Sequence, residues 1–266
     1  MTGPDLFSIK GKVVIVTGAG RGIGREIALA MASRESVVYA VDLAFHGRVI
    51  NGAVCRPFDL ECDITVPSRF ERVCRMIYGK HKRIDVLINN AGVTYAKRTA
   101  GLYSQEDWHR TINVNLTAAF NCSQEVLKYM SKRRRGSIVN ITSLNAERGF
   151  PGNPAYVASK GGLKMLGKAL ARDWGPYNIR VNNLGPGYIR TRMTEKSYKD
   201  AHARKTREAV TMLGRWGRVR DLIGPCIFLA SDASAYITGQ DIYVDGGWLA
   251  NGLPDIDAVC FAKKGR

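Results

Sequence analysis

The chain has 266 residues, 45% of them hydrophobic, and its 40 Lys and Arg outnumber 23 Asp and Glu, which gives a formal net charge of +17. A chain of this length and composition can bury a substantial core, which excludes a disordered or fibrous protein. It contains neither an apolar run of about 18 residues nor a basic region followed by an apolar stretch at its start, so we predict no membrane span, no secretory signal and a cytoplasmic location.

Short β-rich apolar segments alternate with segments of helical periodicity along the chain. Continuous hydrophobicity in several strands predicts burial on both faces, and the alternation predicts a parallel sheet with right-handed crossovers. We therefore predict an α/β fold, a doubly wound sheet with helices on both faces, in a single domain over residues 1–266. The predicted strands are 13–16, 37–41, 86–88, 137–141, 180–184 and 241–244, and the predicted helices are 22–34, 67–80, 105–132, 155–174 and 221–231.

Three glycines, Gly18, Gly22 and Gly24, follow the first predicted strand and open the first predicted helix. Glycine allows a sharp turn there and lets the backbone approach a pyrophosphate, which the helix N-terminus attracts with free N–H groups. This strand–turn–helix context predicts a dinucleotide-binding site that also includes Arg21 and Ile23.

The second predicted strand ends at Asp42, 18 residues after Gly24. A carboxylate there can accept hydrogen bonds from both ribose hydroxyls and repels a 2′-phosphate, whereas Arg21 could pair with that phosphate. Because direct contact excludes the phosphate while Arg21 can point to solvent, we predict NAD as the cofactor, with NADP less favoured. After the third strand, Asp63 and its neighbour Ile64 are predicted at the adenine, with surface capping by Asp63 as the alternative.

Tyr156 and Lys160 lie one turn apart on one face if residues 154–173 are helical. A phenol beside an ammonium has its ionised form favoured, so it can exchange a proton near neutral pH. An isolated pair of this kind could equally lie on a solvated helix face. Ser143, 13 residues upstream, and the glycine turn favour the catalytic interpretation, in which a secondary alcohol and a ketone interconvert as a nicotinamide moves hydride.

The joint order and spacing of these motifs resemble the classical short-chain dehydrogenase/reductase family over most of the chain. The resemblance implies a seven-stranded Rossmann-like sheet, a bound nicotinamide dinucleotide and a homotetramer packed through the long helices. The shared motifs are Thr17-Gly18-x-x-x-Gly22-x-Gly24, Asn89-Asn-Ala-Gly92, Asn113-Val-Asn115, Ser143, Tyr156-x-x-x-Lys160, Pro186-Gly187 and Val244-Asp-Gly-Gly247.

The resemblance also implies a catalytic tetrad of Asn115, Ser143, Tyr156 and Lys160. Tyr156 would exchange the proton at the substrate oxygen, and Ser143 would position that oxygen. Lys160 is implied to lower the pKa of Tyr156 and to hold the nicotinamide ribose, and Asn115 to bend its helix and hold a water connected to Lys160. Further cofactor contacts are implied at Asn89, Ala91, Gly92, Pro186, Gly187, Ile189 and Thr191.

Within the family the chain resembles sugar-acid and polyol dehydrogenases such as gluconate 5-dehydrogenase and 2-deoxygluconate 3-dehydrogenase. Asn145, Glu147 and Tyr188 could line a polar substrate pocket together with Ser143 and Tyr156. Glu147 could accept sugar hydroxyls or simply be exposed. One alternative is a 3-oxoacyl-acyl-carrier-protein reductase, whose acidic carrier would suit a basic rim but which generally uses NADPH. Another is a catalytically silent dinucleotide-binding protein, which the intact tetrad disfavours.

Basic residues concentrate at 132–135 and within 190–220. Such a balance occurs in nucleic-acid-binding proteins, but no nucleic-acid motif or stacking array accompanies it here, so we predict no nucleic-acid or membrane partner. A solvated basic surface and attraction of an anionic small-molecule substrate are the two remaining explanations. Residues 188–218 are predicted to be an irregular basic substrate-binding loop, and 253–266 a short C-terminal tail.

Six scattered cysteines form no CxxC pair, and no His lies at zinc-ligand spacing. We therefore predict no metal site and no disulfide, with Cys55, Cys62 and Cys74 as free thiols at core or near-core positions.

Overall fold

The computed structural model describes residues 5–45, 55–97 and 99–251. Within them a seven-stranded parallel sheet has the strand order β3-β2-β1-β4-β5-β6-β7, which reverses direction between β1 and β4. In such sheets ligands bind outside the carboxyl ends of the strands at the point of reversal. The strands are β1 (Val13–Thr17), β2 (Val37–Asp42), β3 (Phe58–Glu61), β4 (Val86–Asn89), β5 (Gly136–Ile141), β6 (Ile179–Pro186) and β7 (Asp241–Val244).

Helices cover both faces of the sheet, because neighbouring residues of the buried strands point to opposite sides. Ile15 of β1 packs into one core and Val14 into the other. The predicted doubly wound fold is confirmed. The helices are α1 (Gly22–Ala32), α2 (Pro67–His81), α3 (Gln105–Ile112), α4 (Ala118–Arg133), α5 (Pro154–Trp174), α6 (Glu195–Lys199), α7 (Ala201–Ala209) and α8 (Ile223–Ala230).

The predicted helix 105–132 is divided into α3 and α4 by a π-helical turn at Asn113–Thr117. Inside this turn the Asn115 side chain bonds to both the N–H and the carbonyl of Val93, at 2.8 and 3.0 Å. A π-helical turn inserted into a helix changes its course and often marks a functional position. The bend implied at Asn115 is therefore present.

Two predictions from the sequence, for residues 188–218 and for Cys55, are wrong, and a third, for the C-terminal tail, cannot be compared with the structure. Residues 188–218 are not irregular: they contain α6 and α7, which bury no residue and so carry no apolar stripe for the sequence pattern to register. Cys62 and Cys74 are buried, but Cys55 is exposed, with φ of 65° immediately before β3. The tail 253–266 lies outside the described residues. Among the residues described, none of the helices combines the length and the hydropathy needed to span a membrane.

Candidate active site

The glycine turn after β1 packs tightly against the end of β4. Gly18 has φ of +64°, and a Cβ on it would lie 2.6 Å from the Ala91 Cα. Gly22 has φ of +59°. Both observations exclude side chains, so the backbone of the turn lies open to a ligand.

The N-terminus of α1 has no side-chain cap and no acidic residue in its first turn. Its first N–H groups and the positive end of its dipole are therefore available to an anion. Arg21, the N-cap residue, is exposed, and Ile23 is half-buried. The glycine turn and this uncapped helix start together fit the pyrophosphate of a dinucleotide.

Asn90, which the sequence analysis missed, fastens the glycine turn, since its side-chain amide donates to the Gly18 carbonyl at 3.0 Å. The Asn89 side chain points the other way, to Ser123 Oγ and Asn140 Oδ1, both at 2.9 Å. Successive residues at a strand end face opposite sides of the sheet, so two consecutive asparagines indicate that one of them faces the glycine turn. Asn89 supports the cofactor cleft from beneath.

The Asp42 carboxylate is fixed beside the turn. One oxygen accepts the Gly20 N–H and the other the Leu43 N–H, each at 2.7 Å. The carboxylate stays partly exposed, with lone pairs left for ribose hydroxyls.

Asp63 uses one oxygen to accept the N–H and the hydroxyl of Thr65, at 2.9 and 2.6 Å. It therefore fixes the turn before α2 with one oxygen without capping the helix, and the contact of Asp63 with the adenine stays a prediction. Ile64 next to it is buried.

Tyr156 and Lys160 occupy successive turns of α5, as predicted. The Lys160 Nζ lies 5.7 Å from the centre of the Tyr156 ring and donates to the Ile141 carbonyl at 2.7 Å. The Lys160 side chain is almost fully buried, and Tyr156 is half-buried. Ser143 lies just beyond the end of β5, where its hydroxyl interacts with the Tyr156 phenol and accepts the Asn145 N–H at 3.2 Å.

Asn115 completes the group from beneath. It is fully buried, and its amide donates to the Ser159 hydroxyl at 3.1 Å. Gly92 lies between it and Lys160: a Cβ on Gly92 would be 3.4 Å from Asn115 Oδ1 and 3.6 Å from Lys160 Nζ. The structure thus brings all four residues of the predicted tetrad into one site.

The electrostatics of the pair differ from the sequence-based expectation. Burial lowers the pKa of Lys160 from 10.5 to about 8. Burial also raises the pKa of Tyr156, and only the Ser143 hydrogen bond opposes it. In the structure the Lys160 ammonium donates to the Ile141 carbonyl, and the lowering of the Tyr156 pKa by Lys160 stays a prediction.

The segment after β6 closes the far side of the cleft. β6 ends at Pro186, and the Gly187 N–H bonds to β7. The Thr194 hydroxyl donates to the carbonyl of the buried Ile189 at 2.6 Å. The Thr191 hydroxyl lies 3.3 Å from the Thr194 hydroxyl oxygen. Thr194, which the sequence analysis missed, therefore fixes the turn that carries Ile189 and Thr191, two of the predicted cofactor contacts.

The candidate substrate residues separate into two groups. Asn145 stays beside Ser143, whereas Glu147 is engaged elsewhere: it pairs with Lys164 and accepts the Tyr243 hydroxyl at 2.5 Å. These hydrogen bonds lower the pKa of the Glu147 carboxyl, that from Lys164 most. The structure thus places Glu147 in a contact with β7 rather than free for a sugar hydroxyl.

The basic cluster 132–135 lies at the amino ends of the strands, opposite the tetrad. Arg133 pairs with Asp85 at 3.0 Å and Arg135 with Asp232 at 2.6 Å. These residues line an open cavity of about 610 Å³. The charge of this cluster is therefore not part of the candidate active site.

The fold, the glycine turn and the tetrad together define an oxidoreductase that works with a nicotinamide dinucleotide. A family model described as enoyl-(acyl carrier protein) reductase matches residues 18–249. The chain belongs to the short-chain dehydrogenase/reductase family, which confirms the resemblance of its motifs.

Individual relatives match nearly the whole chain. The 3-oxoacyl-[acyl-carrier-protein] reductase of Thermotoga maritima is 39% identical over 244 residues, which cover 90% of this chain and 98% of that protein. The gluconate 5-dehydrogenase of Gluconobacter oxydans is 37% identical over 259 residues, covering 93% and 98%. A solved gluconate 5-dehydrogenase from Burkholderia cenocepacia, in complex with NADP and tartrate, superposes with a TM-score of 0.85 at 31% identity, covering 92% and 98%.

Proposed function

We propose that the protein is an NAD(P)-dependent dehydrogenase that interconverts a secondary alcohol and a ketone on a sugar acid or polyol. The observation that carries the proposal is the convergence of Tyr156, Ser143, Lys160 and Asn115 at the carboxyl ends of the strands, where the glycine turn opens. The relatives named gluconate 5-dehydrogenase support the substrate class.

The bound nicotinamide supplies or accepts the hydride, and its oxidised ring carries a positive charge. Tyr156 accepts the hydroxyl proton during oxidation and returns it during reduction, while Ser143 fixes the reacting oxygen through a hydrogen bond. Lys160 would bind the nicotinamide ribose, and Asn115 holds the Val93 backbone and the hydroxyl of Ser159, the residue before Lys160. The glycine turn and the start of α1 bind the pyrophosphate.

We further propose a preference for NAD, carried by Asp42. Its carboxylate is held at the rim of the glycine turn by the Gly20 N–H, where a 2′-phosphate would meet a negative charge. Arg21, exposed next to it, is the residue that could offset this repulsion, and the Burkholderia relative contains NADP. The choice therefore depends on the balance between these two side chains.

A second candidate is a 3-oxoacyl-acyl-carrier-protein reductase, favoured by the 39% identity to the Thermotoga protein. The chemistry at Tyr156 would be the same, so only the substrate and the cofactor distinguish the two functions.

A substrate screen tests the proposal. Gluconate, 2-deoxygluconate, polyols and simple secondary alcohols are supplied with NAD or NADP, and 3-oxoacyl thioesters with NADH or NADPH, while the absorbance of the reduced nicotinamide is followed. We expect turnover of a sugar acid or polyol, faster with NAD. Activity confined to acyl thioesters with NADPH would overturn both the substrate class and the cofactor preference.

A further inference from the structure

A cluster of aromatic side chains joins the segments that surround the cleft. Tyr188, just beyond β6, lies 5.4 Å from Trp216 and 6.2 Å from Trp248, measured between ring centres. Trp248 lies 5.8 Å from Phe150, in the loop that leads into α5 and Tyr156. The cluster therefore joins the segment after β6 to the loop that leads into the helix of Tyr156 and Lys160.

Arg207 of α7 is the charged member of this cluster. Its guanidinium carbon lies 5.2 Å from the Tyr188 ring centre and 5.9 Å from that of Trp216. Its charge opposes the burial that raises the pKa of the Tyr188 phenol, and the guanidinium donates to the Ala203 carbonyl at 3.2 Å. A guanidinium has five N–H donors, so this hydrogen bond leaves a bidentate edge for another acceptor.

No carboxylate among the described residues forms an ion pair with Arg207. By contrast Arg204, on the same helix, lies 3.9 Å from Glu208, and Arg190 lies 3.6 Å from Glu195. Arg207 is half-buried against aromatic rings, where water screens its charge less than on an open surface. The Asp200 carboxylate at the start of α7 interacts with the charge of Arg207 from beyond ion-pair distance, so the guanidinium can still bind an anionic ligand.

The two tryptophans add donors without acceptors. Trp216 is only 6% exposed, and the indole Nε1 atoms of Trp216 and Trp248 are both buried with no hydrogen-bond partner in the described part of the chain. Buried donors are normally paired, so unpaired ones need an explanation. The surroundings of Arg207 therefore contain two indole donors whose hydrogen-bonding capacity the described residues leave unused.

We propose that Arg207, supported by Tyr188 and Trp216, is the receptor for the carboxylate of the substrate. The guanidinium binds the carboxylate through two parallel N–H···O bonds, and the aromatic rings hold the guanidinium plane in place. This inference rests on the proposed function and narrows its substrate class from sugar acids and polyols to sugar acids.

The test compares Arg207→Gln with wild type on gluconate and on the uncharged polyol sorbitol. We expect the KM for gluconate to rise ~10- to 100-fold in the variant, since a charge-assisted hydrogen-bond pair is lost, with kcat within about threefold. Sorbitol lacks the carboxylate, so we expect it to be a poor substrate whose turnover is equally slow in wild type and variant. Arg207→Lys, which keeps the charge and loses the bidentate geometry, should fall between the two.

A binding measurement separates this inference from the proposed function. Gluconate is titrated into wild type and Arg207→Gln in the presence of saturating oxidised cofactor, and the Kd is read from quenching of tryptophan fluorescence. We expect the Kd to rise by the same ~10- to 100-fold. Lys205→Gln is the matched control, since it removes one charge from an exposed position of the same helix and should leave the Kd unchanged.

Each outcome of these measurements supports or overturns the assignment of Arg207 as the carboxylate-binding residue. Gluconate binding that depends on Arg207 without any turnover supports the receptor and contradicts the proposed function. Equal weakening toward gluconate and sorbitol, or an equal effect of Lys205→Gln, overturns the receptor and assigns Arg207 to packing or to general charge. Absence of gluconate binding to the wild-type protein overturns it as well.

Discussion

Both ends of the sheet carry basic residues, but their charges are compensated differently. At the amino ends Asp85 accepts from Arg83 at 2.9 Å and from Arg133 at 3.0 Å. Arg180 has no carboxylate contact at hydrogen-bond distance among the described residues; instead its guanidinium donates to the carbonyls of Leu229 and Ser231 at the end of α8, both at 3.0 Å. These three cations are thus matched by a carboxylate or by carbonyls at a helix end.

At the carboxyl ends neither Lys160 nor Arg207 has a carboxylate at ion-pair distance among the described residues. Lys160 donates to a single carbonyl, and Arg207 rests on aromatic rings. The fold gains little stability from charges placed in this way. The comparison teaches that cations compensated within the chain serve stability, whereas uncompensated ones are available to a ligand, and mutations at the two ends should separate these effects.

The largest expected effect is that of Tyr156→Phe. Loss of the phenol removes the general acid and base, so kcat should fall by about 10²- to 10⁴-fold. Cofactor affinity, measured by fluorescence of the bound reduced nicotinamide, should stay nearly unchanged. Tyr177→Phe is the control at the amino end, where Tyr177 is exposed beneath Arg134. A Tyr156→Phe enzyme with full activity would contradict the mechanism.

Lys160 should make the stability of the protein depend on pH. Its pKa is about 8 in the fold and 10.5 in the unfolded chain, so between these values only the unfolded chain holds the proton. The Lys160 contribution to the free energy of unfolding therefore rises from pH 8 to pH 10.5 and is lost as the pH falls through 8, a change of up to about 3 kcal/mol. Urea denaturation of wild type and Lys160→Met at pH 8 and 10 measures it: the free energy of unfolding of wild type minus that of the variant should increase with pH. A decrease would refute the assigned burial.

Arg180→Met should act on stability and leave catalysis intact. The substitution leaves the α8 carbonyls without their donor, which costs about 2–3 kcal/mol and lowers Tm by roughly 4–10 °C. Calorimetry gives Tm, and kcat and KM for the identified substrate should stay within about twofold. Arg207→Gln is the counterpart at the other end, with a changed KM and a nearly unchanged Tm. If Arg180→Met changed KM as strongly, the distinction between the two ends would fail.

The sequence predicted the sheet and the tetrad because both depend on local patterns. Val13–Thr17 is buried along its whole length and its apolar run predicted this, and the four-residue spacing of Tyr156 and Lys160 places them on one helix face whatever surrounds them. The glycine turn was likewise readable from spacing, since no other residue could take the place of Gly18.

What the sequence could not predict depends on contacts between distant segments. The proposed role of Arg207 depends on its packing against Tyr188 and Trp216. The two rings are brought together by β6 and the turn before α8. The direction of the Lys160 ammonium, and with it the pKa of Tyr156, depends on the position of the Ile141 carbonyl in a neighbouring strand. Neither the packing of Arg207 nor the direction of the Lys160 ammonium can be predicted from the spacing of residues along the chain.

The smallest expected effect concerns Asp42, a negative group at the end where cations are left unpaired. Asp42→Asn keeps an acceptor for the Gly20 N–H but removes the charge, so the ratio of kcat/KM for NAD over NADP should fall about tenfold through loss of repulsion alone. Asp42→Ala should shift it further, because the ribose hydroxyls also lose their acceptor. Arg21→Ala, which removes the exposed cation beside the turn, should move the ratio in the opposite direction. Identical ratios in all three variants would show that cofactor choice is decided elsewhere in the cleft.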